Sequence, residues 1–234
     1  MVKVISFNIC PFVQRVTALL EAKEIPYEIE FIDLSNMPQW FLDISPNAQV
    51  PVLVTEGGTA LFESDAIVEY LDEVEAPIEP AVTSEQRAID RAWSYQASKH
   101  YLLQCGAMSS ADEPTLLERA EKLGKAFAKA EKQLGDGPYF KGSEFSNVDV
   151  AWLPLLHRAA IIERRTGYDF VADYPKVKAW QSSIMKTGLA EKSVSEDFED
   201  AFARFYLSDK TFLGSGKNCT NDSGGCGTNN SCCG

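Results

Sequence analysis

No run of about 18 apolar residues occurs in this sequence, so no membrane-spanning helix and no membrane partner are expected. A basic-then-apolar leader is also missing, since Lys3, Asn8 and Arg15 interrupt the first residues, and a cytoplasmic protein is the expectation. Basic residues are scarce. The 22 Lys and Arg stand against 34 Asp and Glu, a formal net charge of -12. Scattered negative charge repels phosphate backbones, which argues against nucleic acid as a partner. Only two histidines occur, His100 and His157, neither near a patterned acid. A histidine dyad with a cysteine is therefore not expected, and His157 and its neighbour Arg158 are read as surface or interface residues. No internal repeat is visible. Cysteines are few in the patterned part, Cys10 and Cys105, and four more crowd the end as Cys219, Cys226, Cys232 and Cys233. A disulfide scaffold would spread them through the chain.

What the sequence does have is enough apolar content, 45% of 234 residues, for a sizeable core. Its first part reads β-α-β-α-β-β-α. "VKVISF" alternates as a strand, and "PFVQRVTALLEAKEI" is a helix opened by Pro11, a residue favoured at a first helical position. "YEIEFIDL" reads as a half-buried strand, "MPQWFLDIS" as a short helix or turn, and "VPVLVTEGGTALFE" as a hairpin around Gly57 and Gly58. "SDAIVEYLDEV" is a helix with Ser64 as its N-cap. "EAPIEPAV" is a linker. Four long helical patterns follow, and a fifth over "SVSEDFEDAFARFYL". In the third of them Ser146 and Asp149 form a capping box and Gly167 a stop; Asp149 is assigned to stability rather than catalysis. The expected fold class is α/β plus all-α, divided as 1–75, a 76–83 linker, 84–207 all-helical and a 208–234 tail. That tail is rich in Gly, Ser, Asn and Cys and poor in apolar residues, so it is expected to be disordered. Its cysteines are as consistent with accidental thiols as with a soft-metal or redox role.

Cys10 stands where the first strand hands over to the first helix. A thiol there meets unpaired backbone N–H groups and the positive end of the helix dipole, and both favour the thiolate. Position 13 is Val, so no resolving cysteine follows, and a single-thiol site needs a second thiol from outside, for which glutathione is the best candidate. The alternative is a buried structural cysteine. Two further elements come in order. In a thioredoxin-like fold a cis Val-Pro precedes the third strand, and its exposed backbone can pair with a peptide ligand; Val50-Pro51 is so placed. Glu63-Ser64 at a helix start offers a carboxylate for an ammonium and a hydroxyl with N–H groups for a carboxylate, the two charges of a γ-glutamyl group. Separately these could be an ordinary strand start and an ordinary cap; together with Cys10 they are not.

"CPFVQRV", "PQWFLDISPNAQVPVL", "FESDAIVEYLDE" and "SNVDVAWLPLL" together resemble the cysteine-type glutathione transferase superfamily, most of all its omega class, the plant dehydroascorbate reductases and related bacterial enzymes, over roughly residues 2–190. The resemblance implies a thioredoxin-like domain followed by a helical bundle, a homodimer, and glutathione as co-substrate with no metal required. It implies that Cys10 forms a mixed disulfide with glutathione, that Pro11 and Phe12 shape the wall beside it, that Val50 beside cis-Pro51 holds the cysteinyl part, and that Glu63 and Ser64 hold the γ-glutamyl end. The family often has a lysine near Ser35 to Met37, and the dehydroascorbate reductases often have one at Gln49; both are missing here. The implied activity is thiol transfer and dehydroascorbate reduction on a small electrophilic or disulfide substrate. The alternative is a non-enzymatic module of the same fold, regulatory or chloride-channel-like. Among Trp93, Tyr101, Cys105, Met108, Trp152 and Leu155, most are expected in the core, with some of Tyr101, Cys105, Met108 and Trp152 facing Cys10 as part of a second-substrate pocket.

Overall fold

The computed structural model describes residues 1–216. The first strand, β1 (Val2–Ser6), is central: it pairs in parallel with β2 (Tyr27–Phe31) and antiparallel with β3 (Val52–Val54), which continues antiparallel to β4 (Ala60–Phe62). The sheet order is β2-β1-β3-β4. A central strand covered on both faces buries both sides, and so Val4 and Ile5 are equally inaccessible. Val4 joins the large core under the helices, whereas Ile5 joins a small one with Ile32, Phe41 and Val52. The hairpin between β3 and β4 turns at Gly58, whose φ of +83° suits a residue without a Cβ.

Three helices complete this thioredoxin-like part. Pro11 opens α1 (Pro11–Ala22) in the parallel crossover from β1 to β2, α2 (Gln39–Ile44) covers the small core, and α3 (Ser64–Val74) follows the hairpin. The N-cap of α3 is Glu63, not Ser64; the expected cap residue is one position inside the helix. Six further helices make up the second part: α4 (Ser84–Met108), α5 (Glu113–Gln133), α6 (Asn147–Thr166), α7 (Pro175–Lys186), α8 (Leu189–Lys192) and α9 (Phe198–Tyr206). Their ends are locally coded. Thr83 accepts the Gln86 N–H at 3.2 Å, Asp112 accepts the Thr115 N–H at 2.9 Å, the Ser146–Asp149 capping box opens α6, and Gly167 in the left-handed region closes it. Asp149 Oδ1 also accepts from Phe140 N–H at 2.9 Å and Trp180 Nε1 at 2.7 Å, so one carboxylate ties the start of α6 to α7.

A continuous apolar cluster joins the two parts, running from Val13, Val16 and Leu20 of α1 to Leu155, Ile161 and Ile162 of α6. Packing does not stop at Ser208, where composition placed the start of a disordered tail. Thr211 and Leu213 are buried, and Phe212 N–H donates to the Ser110 carbonyl at 2.7 Å. The two apolar residues Phe212 and Leu213 give this stretch something to dock with. The cysteine-rich remainder of the expected tail, 217–234, lies outside the described residues. Among the described residues no helix is long and apolar enough to cross a membrane.

Candidate active site

Cys10 is the N-cap of α1, in extended conformation, with its carbonyl accepting the Gln14 N–H at 3.1 Å and its own N–H held by the Phe7 carbonyl at 3.1 Å. The backbone N–H groups of Val13 and Phe12, in the first turn of α1, draw the thiol pKa down, as does Arg158, although neither closes a cap hydrogen bond to the sulfur. Burial works the other way and is the largest effect; with a smaller push from Cys105 it leaves the Cys10 thiol above the ordinary value. The acidic thiol expected from the helix terminus alone is therefore not what the free protein holds. The half-buried sulfur loses more from leaving water than two N–H groups return.

Cys10 opens on a cavity of about 330 Å³ that also exposes Phe12, Val50, Pro51, Glu63 and Ser64. Pro11 is the one residue of the expected set that does not reach it: it is buried at the first turn of α1. The Val50–Pro51 bond is cis. Glu63 has a φ of +66°, an uncommon conformation for a residue with a Cβ, and the carboxylate receives the Asn47 amide at 3.0 Å. Behind it, Asp65 in the first turn of α3 forms an ion pair with buried Arg15 of α1 and receives the Ser98 hydroxyl of α4 at 3.4 Å, which holds the start of α3 against both helices. Asn47, Arg15 and Asp65 were not singled out from the sequence. Asn47 had no signal beyond lying in "SPNAQVP", and Arg15 sits in a helix whose apolar spacing gave no reason to bury a cation.

Leu34, Met37 and Gln49 also line the cavity, as does Leu102 of α4. No Lys, Arg or His is among the described residues lining it. Phe12 stacks edge-on against Tyr101, ring centres 5.1 Å apart, and Tyr101 itself is buried with its hydroxyl on the Ala151 carbonyl. Met108, Trp152 and Leu155 are also buried, and none of the four lines the cavity. Cys105 is half-buried and lies within electrostatic reach of Cys10 and Tyr206.

His157 and Arg158 are not surface residues. Arg158 is wholly inaccessible and His157 nearly so, because α6 packs directly on α1. Arg158 donates to the Gln14 side-chain oxygen, to the Pro154 carbonyl at 3.1 Å and to the Ile9 carbonyl at 3.1 Å. Burial, helped by Arg158 and Arg164, pushes the His157 pKa down to about 3. Among the described residues no three His, Cys, Asp or Glu side chains gather as a metal site.

Residues 9–74 match the family model for the glutathione S-transferase N-terminal domain, and 75–187 the model for its C-terminal domain. The chain is 31% identical to glutathione S-transferase omega-1 of Sus scrofa over 80% of its length and 77% of that protein. It is also 31% identical to the probable glutathione S-transferase DHAR1, cytosolic, of Oryza sativa subsp. japonica, over 75% of its length and 79% of that protein. Among solved structures, glutathione transferase Omega 3C from Trametes versicolor superposes with a TM-score of 0.73 at 27% identity, covering 87% of this chain and 89% of that one.

Proposed function

The chain belongs to the glutathione S-transferase family, and from that premise we propose that it is an omega-like, glutathione-dependent thioltransferase and dehydroascorbate reductase acting through a mixed disulfide at Cys10. The observation that carries this reading is the meeting, in one cavity, of the Cys10 thiol, the cis Val50–Pro51 backbone and the Glu63–Ser64 helix start. A γ-glutamyl group fits Glu63 through its ammonium and the first turn of α3 through its carboxylate. The Val50 backbone is free to pair with the cysteinyl unit as an added strand would. In the proposed pose the glutathione sulfur lies at Cys10 and its glycyl end toward Gln49 and Met37.

With a glutathionylated thiol as substrate, the Cys10 thiolate attacks the glutathione sulfur and expels the other thiolate. A second glutathione thiolate then attacks the Cys10-bound sulfur, releasing oxidised glutathione and restoring Cys10. With dehydroascorbate, two glutathiones are consumed, one ascorbate and one oxidised glutathione form, and Cys10 again carries one glutathione between the steps. A cysteine at this position competes with glutathione as nucleophile instead of activating it, so conjugation to aryl halides is expected to be weak. The relatives named above are transferases, and they lend no support to a non-enzymatic module. Homodimer formation and a cytoplasmic location are part of the proposal, as are a first domain at 1–75 and a helical domain that begins at 84.

The test is a comparison of wild type and Cys10→Ser on hydroxyethyl glutathione disulfide and on dehydroascorbate. The variant should lose both activities while keeping its melting temperature. Reductase activity surviving in Cys10→Ser would overturn the assignment.

A further inference from the structure

Arg158 is a cation with no carboxylate partner among the described residues. Its guanidinium is wholly buried, and its acceptors are all neutral: the Gln14 amide oxygen and the carbonyls of Pro154 and Ile9. Its Nε has no acceptor among the described residues. The Phe198 ring lies 5.5 Å from its centre, a weak partner for a full positive charge. A guanidinium stays protonated even when buried, so the interior between α1 and α6 carries a standing charge of +1. Leaving a buried charge without a counter-ion is costly, and its persistence needs a reason.

The reason is in what surrounds it. The titratable groups within its electrostatic reach are Cys105, Tyr206, Cys10 and Tyr101, with His157 adjacent in the chain. Burial holds both tyrosines neutral and His157 uncharged at neutral pH. The Cys105 thiol lies beside the Tyr206 hydroxyl, whose pKa it helps to raise. The group whose chemistry requires a negative charge is Cys10, and Arg158 grips the carbonyl of Ile9, the residue directly before it. We propose that Arg158 is the counter-charge of the Cys10 thiolate, a positioning residue that leaves the resting thiol neutral but stabilises the anion when it forms as nucleophile or leaves as the mixed disulfide is resolved. The helix terminus supplies the partial charge of its N–H groups; Arg158 supplies the full charge, from the second domain. This rests on Cys10 being the reacting thiol, though not on glutathione being its partner.

The test reads Cys10 directly, without glutathione. Iodoacetamide alkylation of the full chain is followed against pH, with Cys10 resolved from the other cysteines by peptide mass spectrometry. Arg158→Met should move the midpoint up by a unit or more, a fall of about tenfold in the alkylation rate at pH 8. Arg158→Lys, which keeps the charge and loses the fork, should restore most of the wild-type midpoint. Equal shifts in Met and Lys variants would overturn the proposal in favour of a purely structural role, and so would an unchanged midpoint in Arg158→Met. If Arg158→Met does not fold, Gln14→Glu replaces it: a carboxylate on the arm already bonded to Arg158 cancels the charge while the Ile9 bond remains. An unmoved midpoint there overturns the proposal equally. Loss of glutathione turnover with normal midpoints would instead count against the proposed function.

Discussion

Gln14 donates its side-chain amide to Nδ1 of His157 over 2.9 Å, across the boundary between α1 and α6. The direction is fixed by Arg158, which occupies the oxygen of the same amide. His157 Nδ1 is therefore an acceptor and the ring proton sits on Nε2. Burial, with the charges of Arg158 and Arg164 beside it, is why the pKa falls to about 3, and a protonated ring could not accept the Gln14 bond either. An unfolded chain protonates the same ring near its ordinary value of about 6.5. The stability this contributes is complete above about pH 6.5 and is lost as pH falls toward 3, about 3 kcal/mol by pH 4. Urea unfolding of wild type and His157→Gln across pH 4–7 should show a steeper loss in wild type; parallel curves would refute it.

Cys10 in the free protein should react as a reluctant thiol. Because burial lifts its pKa above the ordinary value, alkylation at pH 6 should be slow and should climb through a midpoint higher than that of free cysteine, about 8.5. A fast reaction at pH 6 would mean that the helix terminus and Arg158 together overcome desolvation.

Asp149 should matter for stability and not for chemistry. It accepts from the N–H and hydroxyl of Ser146, the Phe140 N–H and the Trp180 indole, four donors orphaned together if it is removed. Asp149→Ala should cost about 3 kcal/mol or more in chemical denaturation, with turnover per folded molecule unchanged.

The glycyl end of glutathione meets Gln49 and Met37 in the proposed pose, with no cation on the cavity wall among the described residues. Gln49→Lys should lower KM for glutathione several-fold and leave KM for its glycyl ethyl ester unchanged. Equal gains for both would place the glycyl carboxylate elsewhere.

Docking of residues 208–216 is tested by Leu213→Ala. The side chain is almost completely covered, and its truncation should lower stability by about 2–3 kcal/mol in urea unfolding. A neutral effect would show that this stretch adds nothing to the core.

Local chemistry was legible in the sequence, and long-range burial was not. Pro11, the Ser146–Asp149 box and Gly167 mark helix ends with short-range rules, and the structure obeys them. Cys10, Val50–Pro51 and Glu63–Ser64 meet in one cavity because each sits at an element end that the sheet order brings to the same edge. What could not be read was the interior polar network. Gln14 and Arg15 lie on the polar side of α1 by spacing, yet neighbouring helices cover that side and both are buried. The surface half of the reading of His157 and Arg158 failed for the same reason, since a helix packed on several neighbours has little solvent face to carry its polar residues. The four-residue α8 is too short to show any period.

The bond from Arg158 to the carbonyl of Ile9 makes the reactive loop the joint property of two stretches of chain some 150 residues apart. A chimaera that grafted the first 75 residues onto another helical bundle would inherit the sulfur, the cis turn and the carboxylate at Glu63, and would lose the guanidinium. Divergence in the helical part can thus retune the thiol while every residue around the cavity mouth stays the same. Reactivity would then vary between relatives whose ligand-facing residues are identical.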